Sequence, residues 1–279
     1  MRWLEGRREG DVEDRRGRGG MAAGGGIGVA VLALIGYFVF GIDPNTTEQV
    51  ASEFNGTNQA QHGQVGTPSD QGGQFVDVIS ANVNDVWATK ISGYTKPKVV
   101  LYEQGTPTGC GFGQSAMGPF YCPNDATVYL DLGFWREMET KLGASGADFA
   151  RAYVIAHEFG HHVQRLTGVS QQVERAGATG EGAANRASVA LELQADCFAG
   201  VWAANASVAS GGKVALEPGD LEQGLKTANA IGDDALQRRG GGVVSPEKFT
   251  HGTSAQRVQW LQRGFRAGDP KACDTFAGN

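Results

Sequence analysis

The chain has 279 residues, 41% hydrophobic and 19% charged, enough for one sizeable domain with appendages. A net charge of −6 excludes the basic footprint of a nucleic-acid binder. Glycine clusters at Gly24–Gly26 and Gly240–Gly242 mark joints and loops rather than strands.

Residues 1–20 mix six arginines with five acids and show no apolar period, so they read as a cytoplasmic leader. An uncharged run follows at 21–42, densest from Ile27 to Phe40, and roughly 20 apolar residues suffice to cross a bilayer as a helix. No lysine or arginine then appears before Lys90. Basic residues before the run and none soon after predict a single-pass anchor in the cytoplasmic membrane, with the N-terminus inside and the rest outside. No small-x-small cleavage site follows the apolar core, which argues against a cleaved signal peptide. Residues 43–74 are polar, rich in Asn, Gln, Gly and Thr, and read as a flexible tether; His62 within them is solvated.

The globular domain is expected over 75–279. Helical spacing covers 75–90, while 98–103 and 126–132 carry the β-branched and aromatic residues of strands. A Gly/Pro-rich loop with Cys110 and Cys122 separates the two strands. A short helix near 134–142 comes next, then long helices at about 149–166 and 187–204. An amphipathic stretch at 221–236 and a last helix at 254–265 complete an α+β domain. The four cysteines form no CxxC pair, which weakens a four-thiolate zinc site and agrees with export. Of three possible pairings, the expected one joins Cys110 to Cys122 and Cys197 to Cys273.

The chemistry concentrates in the run His157-Glu158-Phe159-Gly160-His161. Histidines four apart on a helix project from one face, so two neutral nitrogens can share one zinc ion. Glu158 lies alongside, placed to take a proton from the water that zinc activates. A catalytic zinc usually takes three protein ligands. The metzincin third histidine is excluded, because Gln164 and Thr167 stand where its glycine and histidine belong. A second helix offers Glu192 and Asp196 on one face among Val189, Leu193, Cys197 and Val201. Carboxylates in so apolar a helix need partners. Zinc for Glu192 and a ligand histidine's outer N–H for Asp196 satisfy both. His162 points away from that face, and Tyr153, one turn before His157, reads as core packing with the metal as the alternative.

The segments HEFGHHVQ (157–164), ELQADCFAG (192–200), Val31 to Asp43 and THGTSAQRVQWLQRGF (250–265) together resemble the bacterial YpfJ-type neutral zinc metallopeptidases. The Glu192-Ala195-Asp196 spacing is also similar to the wider gluzincin group, which includes the membrane-associated HtpX peptidases. The resemblance implies a zincin-like fold and peptidase activity with one catalytic zinc. It implies His157, His161 and Glu192 as ligands, Glu158 as general base and Asp196 as orienter of a ligand. By analogy with a His-Pro segment of HtpX-like peptidases, His251 is a catalytic candidate at the reacting carbonyl, although Gly252 replaces the proline. In gluzincins a strand beside the active helix aligns the substrate, a role open here to Thr127–Leu132.

The expected function is therefore a membrane-anchored zinc peptidase acting on a peptide or protein outside the cytoplasmic membrane. Two alternatives use the same residues: a non-catalytic, metal-stabilised scaffold at the cell envelope, and an amidase for cell-wall peptides. Glu158 favours catalysis, since a structural zinc needs no base.

Overall fold

The computed structural model describes residues 1–17, 63–178 and 180–277. The run 21–42, read as an anchor, and residues 43–62 of the tether lie outside these. Among the described residues no helix is long and apolar enough to cross a membrane.

Five strands form one mixed sheet: β1 (Val12–Asp14), β2 (Gln64–Gly66), β3 (Lys98–Tyr102), β6 (Phe120–Cys122) and β7 (Thr127–Asp131). Their order is β2-β1-β3-β7-β6, with β1, β3 and β7 mutually parallel and β2 and β6 antiparallel at the two edges. A separate hairpin, β4 (Gly105–Thr108) with β5 (Gly111–Gln114), rises from the loop between β3 and β6. Side chains alternate across a sheet. Val99, Leu101, Val128 and Leu130 accordingly face the main core, and Val100, Tyr102 and Tyr129 gather with Cys122 on the other side.

The helices are α1 (Gln71–Lys90), α2 (Gly133–Thr140), α3 (Asp148–Leu166), α4 (Val169–Gly177), α5 (Glu181–Ala209), α6 (Asp220–Ala230), α7 (Asp233–Arg239) and α8 (Ser254–Ala267). The α+β class and the main helices and strands agree with the sequence pattern. The amphipathic stretch at 221–236 divides at Ile231 and Gly232 into α6 and α7. Buried polar groups tie α1 to α5: the Trp202 Nε1–H donates to Asn82 Oδ1 at 2.9 Å, and Asn82 Nδ2 donates to the Ala206 carbonyl at 3.0 Å. Both expected disulfides are present, Cys110–Cys122 and Cys197–Cys273.

The N-terminal region differs from its sequence reading. Residues 1–17 pack on the domain rather than forming a separate leader. Trp3 is buried edge-on against Phe75, and Val12 is fully buried. The buried Asp77 of α1 accepts the backbone N–H groups of Glu9 and Gly10 and the Thr67 hydroxyl. The arginines are engaged within the fold: Arg7 with Asp85, Arg15 with Glu13, Arg16 with Asp14 and Asp70. Part of the stretch read as tether is also ordered, since Gln64–Gly66 is β2 and Asp70 caps α1 by accepting from Gly73 N. One strand of three residues cannot show a period, and the helix start is masked by Gly72 and Gly73.

Candidate metal centre

Three elements converge at the candidate site. α3 carries His157, Glu158 and His161, α5 carries Glu192 and Asp196, and the loop leading into α8 carries His251. The two long helices approach closely at Gly160, where an added Cβ would lie 3.1 Å from Ala195 Cα and 3.2 Å from its carbonyl oxygen. Glycine in the middle of the HExxH run therefore sets the spacing between the histidine pair and the carboxylate helix.

His157, His161 and Glu192 each offer one ligand atom, all within 4.8 Å of one another. His157 Nε2 lies 3.1 Å from Glu192 Oε2, and His161 Nε2 lies 3.4 Å from Glu192 Oε1. Ligands about 2.0 to 2.1 Å from a tetrahedral zinc are separated by roughly 3.3 Å. The donor set is two imidazole nitrogens and a carboxylate, whose chemistry fits zinc, and the two histidine–carboxylate distances are close to that value.

Asp196 is fully buried and satisfied from three sides. Its Oδ1 accepts from His157 Nδ1 at 2.9 Å and from the Tyr153 hydroxyl at 2.6 Å. Arg257, also buried, donates through Nε to Oδ2 at 2.8 Å and through Nη2 to Oδ1 at 3.0 Å. Tyr153 is thus both core and part of the site's support. Asp233 was not legible as a site residue, and Arg257, in the segment that follows His251, reads from sequence equally well as structural. The pattern at Arg257 that could have flagged it is a charged position on the buried face of α8, beside Leu261.

The electrostatics are those of a pocket that wants a cation. Burial opposes charge on His157, but Asp196 and Glu192 on its two sides outweigh it and push its pKa up to about 10. Burial likewise opposes charge on Glu192, and the charges of His161 and His251 with the His157 hydrogen bond hold it well below the carboxylate range. Glu158 is pushed up to about 7, chiefly by burial, with His157 and the Tyr121 backbone N–H acting against the rise. Burial pushes His161 down.

His251 comes to the cluster, close enough to Glu192 for their charges to interact, with its side chain 39% exposed. Asp233 Oδ2, at the start of α7, accepts the backbone N–H groups of Thr250, His251 and Gly252 at 2.7 to 3.0 Å. Its Oδ1 lies 3.2 Å from His251 Nδ1. Gly252 has φ +88°, which proline cannot adopt, so the His-Gly loop turns differently from a His-Pro one.

Two neighbours of the site complete it. His162 is outside the cluster, as its helical position predicts: Nε2–H donates to the Thr95 carbonyl at 2.6 Å, leaving Nδ1 to accept from the Tyr121 hydroxyl at 3.0 Å. This ties α3 to β6. The strand expected to align substrate is corrected here. β7, within Thr127–Leu132, is buried and paired along its length by β3, and β6 covers its other side over Thr127–Tyr129, which leaves only Leu130 and Asp131 without a strand partner there. β6 is the edge strand, and its Tyr121 contacts both Glu158 and His162.

A HExxH helix and a carboxylate helix that together offer three metal-ligand atoms fit the zinc-metallopeptidase family to which the sequence comparisons point. The chain belongs to the family described as "Putative neutral zinc metallopeptidase", matched over residues 1–276. It is 46% identical to the uncharacterized protein YpfJ of Escherichia coli over 99% of each chain. It is 45% identical to an uncharacterized protein of Mycobacterium tuberculosis over 70% of this chain and 68% of that one. No solved structure matches it significantly.

Proposed function

We propose that the protein is a zinc-dependent peptidase that hydrolyses peptide bonds with Glu158 as general base and His157, His161 and Glu192 as ligands. The observation that carries this reading is the convergence of those three side chains within 4.8 Å beside a buried glutamate. Zinc, when bound, supplies Lewis-acid activation of water and of the scissile carbonyl. Glu158 receives the proton of the attacking water and passes it to the leaving nitrogen, and its raised pKa suits it to both transfers near neutral pH. Asp196 holds His157 in the tautomer that keeps Nε2 toward Glu192. His251, oriented by Asp233, donates to the carbonyl oxygen as charge builds on it. The outer edge of β6 supports an extended substrate backbone by strand addition.

For location we propose the cell envelope. The two disulfides support an oxidising compartment, and the apolar run 21–42 supports attachment to the cytoplasmic membrane. The pairing of β1 with β2 and β3 supports placing residues 1–17 in the same compartment as residues 63–277, in place of the single-pass topology with a cytoplasmic N-terminus expected from the sequence. A chain that crossed a bilayer once between them would separate β1 from its partners.

The test compares wild type with Glu158→Gln by metal analysis and by cleavage of a peptide library. The variant should keep stoichiometric zinc and lose hydrolysis. Wild type without zinc would end the proposal, and zinc-bound wild type that cleaves nothing would favour the scaffold function instead.

A further inference from the structure

We propose that Gln164 is a positioning residue of the metal centre, holding His161 in the tautomer whose Nε2 carries the free lone pair. Gln164 is itself held by a relay that ends at the C-terminal disulfide. The proposal rests on the zinc reading above and concerns how that site is supported.

Gln164 lies one turn after His161 on α3 and is fully buried. Its Nε2 donates to the carbonyl of Leu191 on α5 at 2.7 Å, and a backbone carbonyl can only accept. The same nitrogen donates to Gln194 Oε1 at 3.1 Å. With the amide nitrogen committed, the atom facing His161 Nδ1 at 2.9 Å is Oε1, and an oxygen there requires a proton on Nδ1. The lone pair of the neutral ring is then on Nε2, the atom 3.4 Å from Glu192 Oε1.

Gln194 is fixed by the same logic. Its Nε2 donates to the Cys273 carbonyl at 2.9 Å, again an acceptor only, so its Oε1 must turn to Gln164. Cys273 is bonded to Cys197 on α5. The relay therefore runs from His161 through Gln164 and Gln194 to a stapled carbonyl, and neither amide can flip without losing its bond to backbone.

The two histidines are thus oriented by different chemistries. His157 has a carboxylate on Nδ1, neutralised by Arg257, whereas His161 has an uncharged amide. A neutral acceptor directs the ring without adding a third negative charge beside Glu192 and Asp196. The same residue also ties α3 to α5, the helix that brings Glu192.

The experiment measures zinc affinity of the full chain by competition with a chromophoric chelator, for wild type, Gln164→Glu and Gln164→Leu. Far-UV circular dichroism on the same samples reports folding, and a histidine ¹⁵N spectrum of the zinc-free wild type reports the tautomer that the protein itself imposes. Gln164→Leu should stay folded and bind zinc about 10- to 100-fold more weakly. Gln164→Glu, which keeps an acceptor for Nδ1, should lose less, and His161 should be protonated at Nδ1. A folded Gln164→Leu with wild-type affinity, or His161 protonated at Nε2, overturns the proposal and leaves the zinc reading intact. Wild type that binds no zinc defeats the zinc reading itself. If Gln164→Leu does not fold, the wild-type spectrum decides.

Discussion

Glu158→Gln should stabilise the metal-free protein at alkaline pH while abolishing hydrolysis. Glu158 is buried, and its pKa rises from 4.5 to about 7 on folding. Because the folded pKa is the higher one, the linked stability is present in full below about pH 4.5. It is lost as pH rises through 7. At about 1.4 kcal/mol for each tenfold change in proton affinity, ionising this group in the folded chain costs about 3 kcal/mol. Glutamine removes the charge at nearly constant shape, so the variant escapes that loss. Urea unfolding in the presence of a chelator would be measured for both proteins near pH 4.5 and about pH 8. Subtracting the variant from wild type cancels the other titrating groups. The difference should shift by about 3 kcal/mol toward the variant between the two pH values. A difference independent of pH would mean that burial does not perturb Glu158, and that its fitness as a base at neutral pH has another origin.

Asp196 and Arg257 form a fully buried pair, so Asp196→Asn or Arg257→Met alone should each lose about 3 to 5 kcal/mol by leaving a charge unpaired. The double variant should lose clearly less than the two combined, and additivity in chemical denaturation would show the pair to be uncoupled. Paired cysteine-to-alanine replacement at Cys197 and Cys273 should destabilise by about 4 kcal/mol, against about 3 for Cys110 and Cys122, because the first closes the longer loop. Calorimetry would rank them, and the reverse order would refute the loop-entropy argument. Glu13→Cys with Val65→Cys, directly paired across β1 and β2, should form a disulfide in the full chain. Failure to cross-link would place residues 1–17 away from the sheet.

Much of the centre was legible because its chemistry is local. His157, Glu158 and His161 sit within one helical turn and a half, and helix geometry alone puts the two histidines on one side. Glu192 and Asp196 were legible for the opposite reason, as acids in a run too apolar to hold them without partners. The disulfide pairing was one of three that the cysteine positions allowed, and the structure shows it.

What the linear pattern could not contain were contacts between distant segments. Asp196 meets Arg257 sixty-one positions away, and Asp77 meets Gly10 sixty-seven positions away. The arginines of residues 1–17 look like a topogenic charge cluster until the acids that pair with them, Asp70 and Asp85 among them, are brought alongside by folding. Gln164 reads as one more polar helix residue, and only the Leu191 and Cys273 carbonyls give each amide of the relay its direction. Sequence by itself pointed to the residues of the proposed chemistry, because the histidine pair and Glu158 share one helix and Glu192 stands out as an acid in an apolar one. Tertiary structure decided what orients them and where the N-terminus lies, because hydrogen-bond direction and strand pairing depend on partners far along the chain.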